Sequence, residues 1–148
     1  FHIYGSGNEE EKIRTYIENN PNSNIIYHGR VPREELHEKL PGFHASVVPL
    51  TNRIYGALPS KIFELISFGV PVLYCGGGEG AEIIRDNKLG LTSDPGDFKK
   101  LEDNIQRLKN LSEKEFRKIL LNCIDFTKDK LNFKLQLQKL DQGIQKVK

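Results

Sequence analysis

Short runs of β-branched and aromatic residues alternate along this chain with stretches of helical period, and this alternation constrains the fold most strongly. Such alternation is typical of βαβ units, which build a parallel sheet. Strands are predicted over residues 1–4, 25–28, 45–50, 70–74 and 89–92. The fold class is therefore predicted to be α/β, a Rossmann-like parallel sheet with flanking helices.

Helix start and stop signals occupy the intervals between the strands. Pro59 is expected at a first helical position, Gly69 just past a helix end, and Asp97 at an N-cap, while Ser112 and Glu115 have the spacing of a capping box. Helices are predicted over residues 8–20, from 32, over 59–68 and 81–87, and after 97 and 112. Five residues at intervals of four and three predict one apolar face on a last helix: Phe133, Leu137, Leu140, Ile144 and Val147.

The composition excludes several classes of function. The formal charge of +2 comes without a basic stripe, so no nucleic-acid partner is expected, and the apolar runs are far shorter than the roughly 20 residues that span a bilayer. Cys75 and Cys123 have neither metal-ligand nor disulfide spacing, so both are predicted to be buried thiols and no metal site is predicted. The histidines are expected to form no cluster and to have no catalytic role: His2, His28, His37 and His44.

No repeat or linker divides the sequence, so residues 1–148 are predicted to form one domain, and its strand-like first residues suggest a fragment of a longer protein. Ligands of open parallel sheets bind beyond the carboxyl ends of the strands, which here carry the loops at 5–7, 29–30, 49–58 and 76–80. Glycines and helix starts in these loops favour a phosphate-bearing ligand. Gly5 and Gly7 alone are weak evidence for a dinucleotide site, because Glu10 stands where a third glycine belongs.

The segment from Leu58 to Glu64 is more informative. A helix that begins at Pro59 leaves the N–H groups of Ser60 and Lys61 open to a diphosphate. Glu64 lies one turn later on the same side, where its carboxylate can reach ribose hydroxyls. The alternative is a solvent-exposed salt bridge between Lys61 and Glu64 without a ligand.

The segment "LPSKIFELISFGVPVL" resembles the donor-site segment of the family-4 glycosyltransferases of GT-B fold. The segments "IYGSG", "IIYHGRVPREEL", "ASVVPL", "GGGEGAEII" and "GLTSD" follow the order and spacing of that family, and the resemblance covers residues 1–97. It implies the C-terminal, nucleotide-sugar-binding half of such an enzyme.

The resemblance implies a retaining, hexosyltransferase-like transfer from a nucleotide diphosphate sugar, in polysaccharide or glycan synthesis, without a metal or another cofactor. No catalytic residue is carried over, because Gly56 stands where the family has its first glutamate. The donor-binding residues carried over are Glu64 at the ribose, Ser60 and Lys61 at the diphosphate, Pro59 and Leu58 just ahead of them, Gly29, Arg30 and Val31 at the base, and Gly5 and Gly7 under the donor.

The family's donor domain begins with a further strand and helix, which carry a basic pair for the diphosphate. This first strand–helix unit is expected to be missing, and Arg53 or Lys61 would have to replace the pair, although neither matches it. The missing strand should lie between those at 1–4 and 45–50, supplied by residues ahead of Phe1, replaced by direct pairing of the two, or donated by another molecule. The isolated chain is expected to be inactive.

The resemblance places the acceptor, a glycan or a lipid-linked sugar, on the absent N-terminal domain. It implies a cytoplasmic enzyme and is compatible with a peripheral position at the inner membrane face. Two alternatives stay open: a nucleotide-sugar epimerase of the same architecture, and a non-catalytic Rossmann-like binding module. A nucleotide titration separates the module, since a module without a donor site shows no preference for nucleoside diphosphates.

Overall fold

The computed structural model describes residues 1–53, 56 and 58–145. The chain divides into two compact units, Phe1–Lys39 and Leu40–Lys148. Strands and helices alternate through most of both units, and every strand pairing is parallel, so the predicted α/β class is confirmed. The predictions of one domain over residues 1–148 and of a strand missing ahead of Phe1 stay predictions.

The first unit has two strands and two helices: β1 (His2–Tyr4), α1 (Glu10–Asn19), β2 (Ile26–Gly29) and α2 (Arg33–Lys39). β1 and β2 form a two-stranded sheet, in which His2 lies opposite Ile26 and Tyr4 opposite Gly29. Apolar side chains of α1 line a hollow together with Ile3 and Ile25. None of residues 1–39 is fully buried, so this unit has only a shallow core.

The second unit begins with the short 3₁₀ helix Leu40–Gly42. It continues with β3 (Ser46–Pro49), α3 (Ser60–Ser67), β4 (Val72–Cys75), α4 (Glu79–Asp86), β5 (Gly90–Ser93), α5 (Phe98–Lys109), α6 (Glu113–Lys130) and α7 (Phe133–Gln145). The three strands form a second sheet in the order β3-β4-β5. All four residues of the central strand β4 are buried, as a strand covered on both faces requires.

The core of the second unit lies on both faces of this sheet. Leu73, Cys75 and Leu101 form a cluster between the sheet and α5. Gly90 of β5 passes so close to β4 that a Cβ atom there would lie 1.9 Å from the carbonyl oxygen of Val72, so only glycine fits. The main chains of β4 and β5 are therefore closely packed at this position.

The predicted strands and helices are confirmed to within a few residues, with one correction that concerns the site. Pro59 was expected at the first helical position, but α3 begins at Ser60 and Pro59 is its N-cap, with φ −60° and ψ 117°. The proline ring fixes φ but leaves ψ free to be extended, and the Pro59 carbonyl still accepts the N–H of Ile62 at 3.0 Å. The helix start therefore lies one residue later than predicted.

The predicted helix ends and caps are confirmed. After α3, the N–H groups of Gly69 and Val70 donate to the carbonyls of Ile66 and Leu65, the pattern of a Schellman motif. A side-chain oxygen of Asp97 accepts the N–H of Lys100 at the start of α5. The capping box at the start of α6 is complete.

The two cysteines are buried free thiols, as predicted. Burial raises the pKa of the Cys123 thiol to about 12. The apolar face predicted for the last helix is exposed on α7, with Phe133 76% and Leu140 60% accessible, while Val147 lies outside the described residues. Across residues 1–53, 56 and 58–145, no helix is long and apolar enough to cross a membrane.

Two of the four histidines, which were expected to form no cluster, lie in contact as a pair. Nδ1 of His2 lies 2.9 Å from Nε2 of His28, and the ring of Tyr4 lies parallel to that of His28, with 4.2 Å between the ring centres. These residues are far apart in sequence, and the parallel pairing of β1 with β2 brings them to one face of the sheet. Sequence spacing could not show this contact without knowledge of which strands pair.

Candidate functional site

The ends of β1 and β2 bring two of the predicted donor-binding loops together. The N–H of Gly5 donates to the carbonyl of Gly29 at 2.7 Å, and the hydroxyl of Tyr27 donates to the carbonyl of Gly5 at 2.8 Å. Gly29 has φ +67°, a backbone conformation that other residues rarely adopt. The chain can therefore turn sharply after β2, and Arg30 beyond the turn is exposed while Val31 is half-buried.

The loop after β1 leads directly into α1. The carbonyl of Gly7 accepts the N–H of Glu10 at 3.1 Å, and no side chain caps the helix. Two acids of this first turn have basic partners on the same helix: Glu9 pairs with Lys12, and Glu10 with Arg14 at 2.8 Å. The hydrogen bond from Arg14 lowers the pKa of the Glu10 carboxyl. The negative charge at this helix start is therefore partly compensated.

In the second unit, backbone hydrogen bonds join the exits of all three strands. The N–H of Leu50 donates to the carbonyl of Cys75 at 2.7 Å, and the N–H of Gly76 to that of Ser93 at 2.9 Å. The N–H of Gly96 donates back to Leu50 at 2.9 Å. The loops after β3, β4 and β5 therefore leave the sheet from one fixed edge, where α3 and α4 also begin.

The start of α3 lies at this edge and carries two of the predicted donor-binding residues. Ser60 and Lys61 are exposed, and no side chain caps the helix. In any helix the first N–H groups have no partner within the helix. Ile62 and Ile66 on the opposite side are 0% accessible, so the core holds the helix in place. The start of α3 thus presents N–H donors that lack a side-chain cap, on a helix that is anchored in the core.

Glu64 lies on the side of α3 that faces away from the core. At 100° per residue it is about 160° from Ile62 and about 160° from Ile66, but only about 40° from Ser60 and about 60° from Lys61. The residue is half-buried. Among the residues that the structure describes, Lys61 and Glu64 do not form an ion pair with each other.

Leu58, which is also among the predicted donor-binding residues, has its side chain in packing contact. A Cβ atom added to Gly80 in α4 would lie 3.1 Å from carbon atoms of Leu58, Ile62 and Tyr74. The first turns of α3 and α4 are therefore neighbours, with the buried ring of Tyr74 beneath them. Burial also raises the pKa of the Tyr74 hydroxyl.

The sequence suggests Arg53 only as a substitute for the missing basic pair. In the structure, the Arg53 side chain lies beside the glycine turn after β4. A Cβ atom on Gly77 would lie 3.6 Å from Nε of Arg53, and one on Gly78 would lie 3.8 Å from Nη2. Arg53 follows β3 and the glycines follow β4, so only the pairing of these strands could have shown the contact. Among the residues that the structure describes, no group of three His, Cys, Asp or Glu side chains could hold a metal ion.

Comparison with known proteins identifies a matching family and a solved structure of similar fold. Residues 1–110 match the family model described as glycosyl transferases group 1. The fold is similar to that of WaaG, a glycosyltransferase involved in lipopolysaccharide biosynthesis, with a TM-score of 0.71 and 16% sequence identity. The match covers 95% of this chain but only 36% of the WaaG chain. A search of curated protein sequences found no match.

Proposed function

Since the chain belongs to the group 1 glycosyltransferase family, we propose that it forms the nucleotide-sugar-binding part of a retaining glycosyltransferase. The parent enzyme would transfer a sugar, of hexose type, from a nucleotide diphosphate sugar to an acceptor. The chain spans about a third of the similar solved enzyme, so the remaining parts of the reaction depend on residues outside it. The family match favours this reading over an epimerase or a non-catalytic module.

The start of α3 is the observation that carries this proposal. Ser60 and Lys61 are exposed there without a side-chain cap, and Glu64 lies on the same side of the helix. The open N–H groups and the positive end of the helix dipole suit a diphosphate, and Lys61 adds a charge. Glu64 would accept hydrogen bonds from ribose hydroxyls. One helix would thus bind both the phosphate and the ribose of the donor.

The same groups suit the chemistry of the leaving group. Negative charge grows on the diphosphate as its bond to the sugar breaks, and pre-positioned N–H donors and a lysine stabilise this charge without a metal ion. Because the buried isoleucines fix the helix, these donors need no rearrangement during the reaction. No side chain of this chain is assigned as a nucleophile or as a base.

The resemblance also gives the loops of the first unit a role in donor binding. The backbone of Gly29, Arg30 and Val31 would border the base, and Gly5 and Gly7 would lie under the donor. The hydrogen bond between Gly5 and Gly29 supports this, because it fixes both loops at one edge of their sheet. Recognition through the backbone needs no particular side chain at these positions.

The acceptor would be a glycan or a lipid-linked sugar, bound by a domain outside this chain. WaaG is described as a glycosyltransferase of lipopolysaccharide biosynthesis, and a similar acceptor would place the parent enzyme in the cytoplasm at the inner membrane face. The isolated chain would bind donor nucleotides weakly and transfer no sugar. Sugar transfer by the isolated chain would contradict this part of the proposal.

Calorimetric titration with UDP, GDP, ADP and the corresponding nucleosides tests the donor site. We expect at least one nucleoside diphosphate to bind, with its nucleoside about tenfold weaker or more, because charge-assisted hydrogen bonds to the phosphates are lost. Glu64→Ala should weaken binding about tenfold and Lys61→Ala only a few-fold, since the backbone carries much of the phosphate contact. Glu102→Ala, on the exposed side of α5, is the matched control and should change nothing.

Equal affinity for nucleosides and nucleoside diphosphates would favour the non-catalytic module instead. Unchanged binding by Glu64→Ala would remove the ribose contact from the proposal. Loss of all binding in Lys61→Ala would show that the side chain, rather than the helix start, dominates the phosphate site.

A further inference from the structure

We propose that Arg53 is a donor-positioning residue, which holds the phosphate remote from the nucleoside above the turn at Gly77 and Gly78. The inference rests on the proposed function and deepens it. It adds a contact that neither the family match nor the resemblance assigns to this residue.

The first step is the position of the guanidinium. It belongs to the loop after β3 but lies against the turn after β4, within 3.6–3.8 Å of where Cβ atoms of Gly77 and Gly78 would be. Because neither glycine has a side chain, the guanidinium lies directly beside the main chain. Arg53 is exposed, so an anion can reach it from solvent.

The second step is the rigidity of the turn below it. The N–H of Gly76 is bonded to the carbonyl of Ser93, and a Cβ atom on Gly76 would lie 2.4 Å from the ring of Tyr74. Tyr74 itself is only 1% accessible. The turn is therefore fixed by a buried ring and by the sheet. The Arg53 guanidinium, which lies against this turn, is next to a rigid part of the main chain.

The third step is that the helix that follows this turn begins next to the start of α3. Gly80 in the first turn of α4 is in contact with Ile62 in the first turn of α3. Arg53 lies at the turn that leads into α4, and Lys61 lies at the start of α3. Two cationic side chains thus mark two adjacent helix starts. A ligand with two linked phosphates fits this arrangement better than a ligand with one.

The charges around these two helix starts are mixed. Glu79 and Glu82 lie in the first turn of α4, are both exposed, and offset part of the positive charge. A planar guanidinium forms paired hydrogen bonds with phosphate oxygens, which add directional contacts to the attraction between charges. Arg53 would therefore contact one phosphate while the start of α3 binds the other.

The test compares Arg53→Gln with Arg85→Gln, which removes the same charge from the exposed last turn of α4. The probes are the best-bound nucleoside diphosphate, its monophosphate and inorganic pyrophosphate, titrated into the whole chain. Arg53→Gln should weaken diphosphate and pyrophosphate binding about tenfold but monophosphate binding less than about twofold. Arg53→Lys should recover part of the loss, and Arg85→Gln should bind like wild type. Thermal unfolding of each variant checks that the fold is retained.

Wild-type affinity of Arg53→Gln for the diphosphate would overturn this inference alone. Equal weakening by Arg53→Gln and Arg85→Gln would also overturn it, because general charge rather than position would then explain the effect. If the wild-type chain binds no nucleoside diphosphate, the proposed function and this inference fall together.

Discussion

Three helices that begin after predicted ligand loops, α1, α3 and α4, differ from the last three helices of the chain. In α5, α6 and α7 a side-chain oxygen accepts an N–H of the first turn, and the residues that supply it are Asp97, Ser112 and Asn132. In α1, α3 and α4 no side chain does so, and the residues at the caps are Glu9, Pro59 and Gly78. The helices α5, α6 and α7 thus begin with a side-chain cap, and the helices α1, α3 and α4 begin without one.

This difference separates two uses of a helix start. A side-chain cap satisfies N–H groups that the helix leaves open, and it stabilises the fold by about 1 kcal/mol. A start without such a cap gives up that stabilisation and keeps its donors for water or an anion. Mutations at capped starts should therefore change stability, and mutations at the start of α3 should change ligand binding.

The largest effect is expected where α3 is anchored. Ile66→Ala removes a side chain with 0% accessibility and should lower the free energy of unfolding by about 2–5 kcal/mol, because it leaves a cavity. Chemical denaturation measures this loss. Ile105→Ala, at a half-buried position of the capped helix α5, should lose less. An equal or larger loss in Ile105→Ala would show that packing does not distinguish the two helices.

A smaller effect is expected at the capped start of α6. Ser112→Ala breaks the capping box and should lower the free energy of unfolding by about 1 kcal/mol, with no change in nucleotide affinity. Ser60→Ala, at the start of α3, removes no cap and should change stability by less than about 0.5 kcal/mol. Denaturation and calorimetry of both variants check the contrast, and a larger stability loss in Ser60→Ala would break it.

A weaker effect still is expected at the proline before α3. Pro59→Gly frees the backbone ahead of Ser60, which should cost roughly 1 kcal/mol or less in stability and weaken diphosphate binding a few-fold. This loss of affinity should be close to that of Lys61→Ala, because both act on the same phosphate site. Titration of the two variants with one nucleoside diphosphate makes the comparison. Unchanged binding in Pro59→Gly would show that the position of the helix start does not matter.

The smallest effect concerns pH at the capping box. Hydrogen bonds from the hydroxyl and the N–H of Ser112 lower the pKa of the Glu115 carboxyl from its usual 4.5. A carboxyl with a lowered pKa in the folded state stabilises the fold above its unfolded pKa, and this contribution is lost as pH falls through the folded pKa. The difference in melting temperature between wild type and Ser112→Ala should therefore shrink below about pH 4.5. A difference in melting temperature that does not change with pH would contradict the role of the Glu115 carboxylate in the capping box.

Features coded by neighbouring residues could be predicted from the sequence. Asp97 and the Ser112–Glu115 pair each act within three or four residues, so their caps were predicted and are present. The strands followed from short apolar runs bounded by glycine and proline. The start of α3 was placed one residue early, because Pro59 is equally compatible with the cap and with the first helical position.

Features that depend on which strands pair could not be predicted. His2 and His28 meet only because β1 and β2 run side by side. Arg53 reaches Gly77 only because β3 and β4 end at the same edge. Glycine at position 90 is required by the approach of β4, which the local sequence does not reveal. The residues of the candidate site came from the resemblance, and their roles stay proposals.

Amide chemical shifts of the 148-residue chain, followed by NMR during titration with a nucleoside diphosphate, test the central claim most directly. If open helix starts bind the donor, the amides of Ser60 and Lys61 should shift most within the second unit. Those of Lys100 and Glu115, already bonded to Asp97 and Ser112, should stay in place. Shifts centred on Lys100 or Glu115, or no shift at Ser60 and Lys61 with ligand bound, would contradict the account.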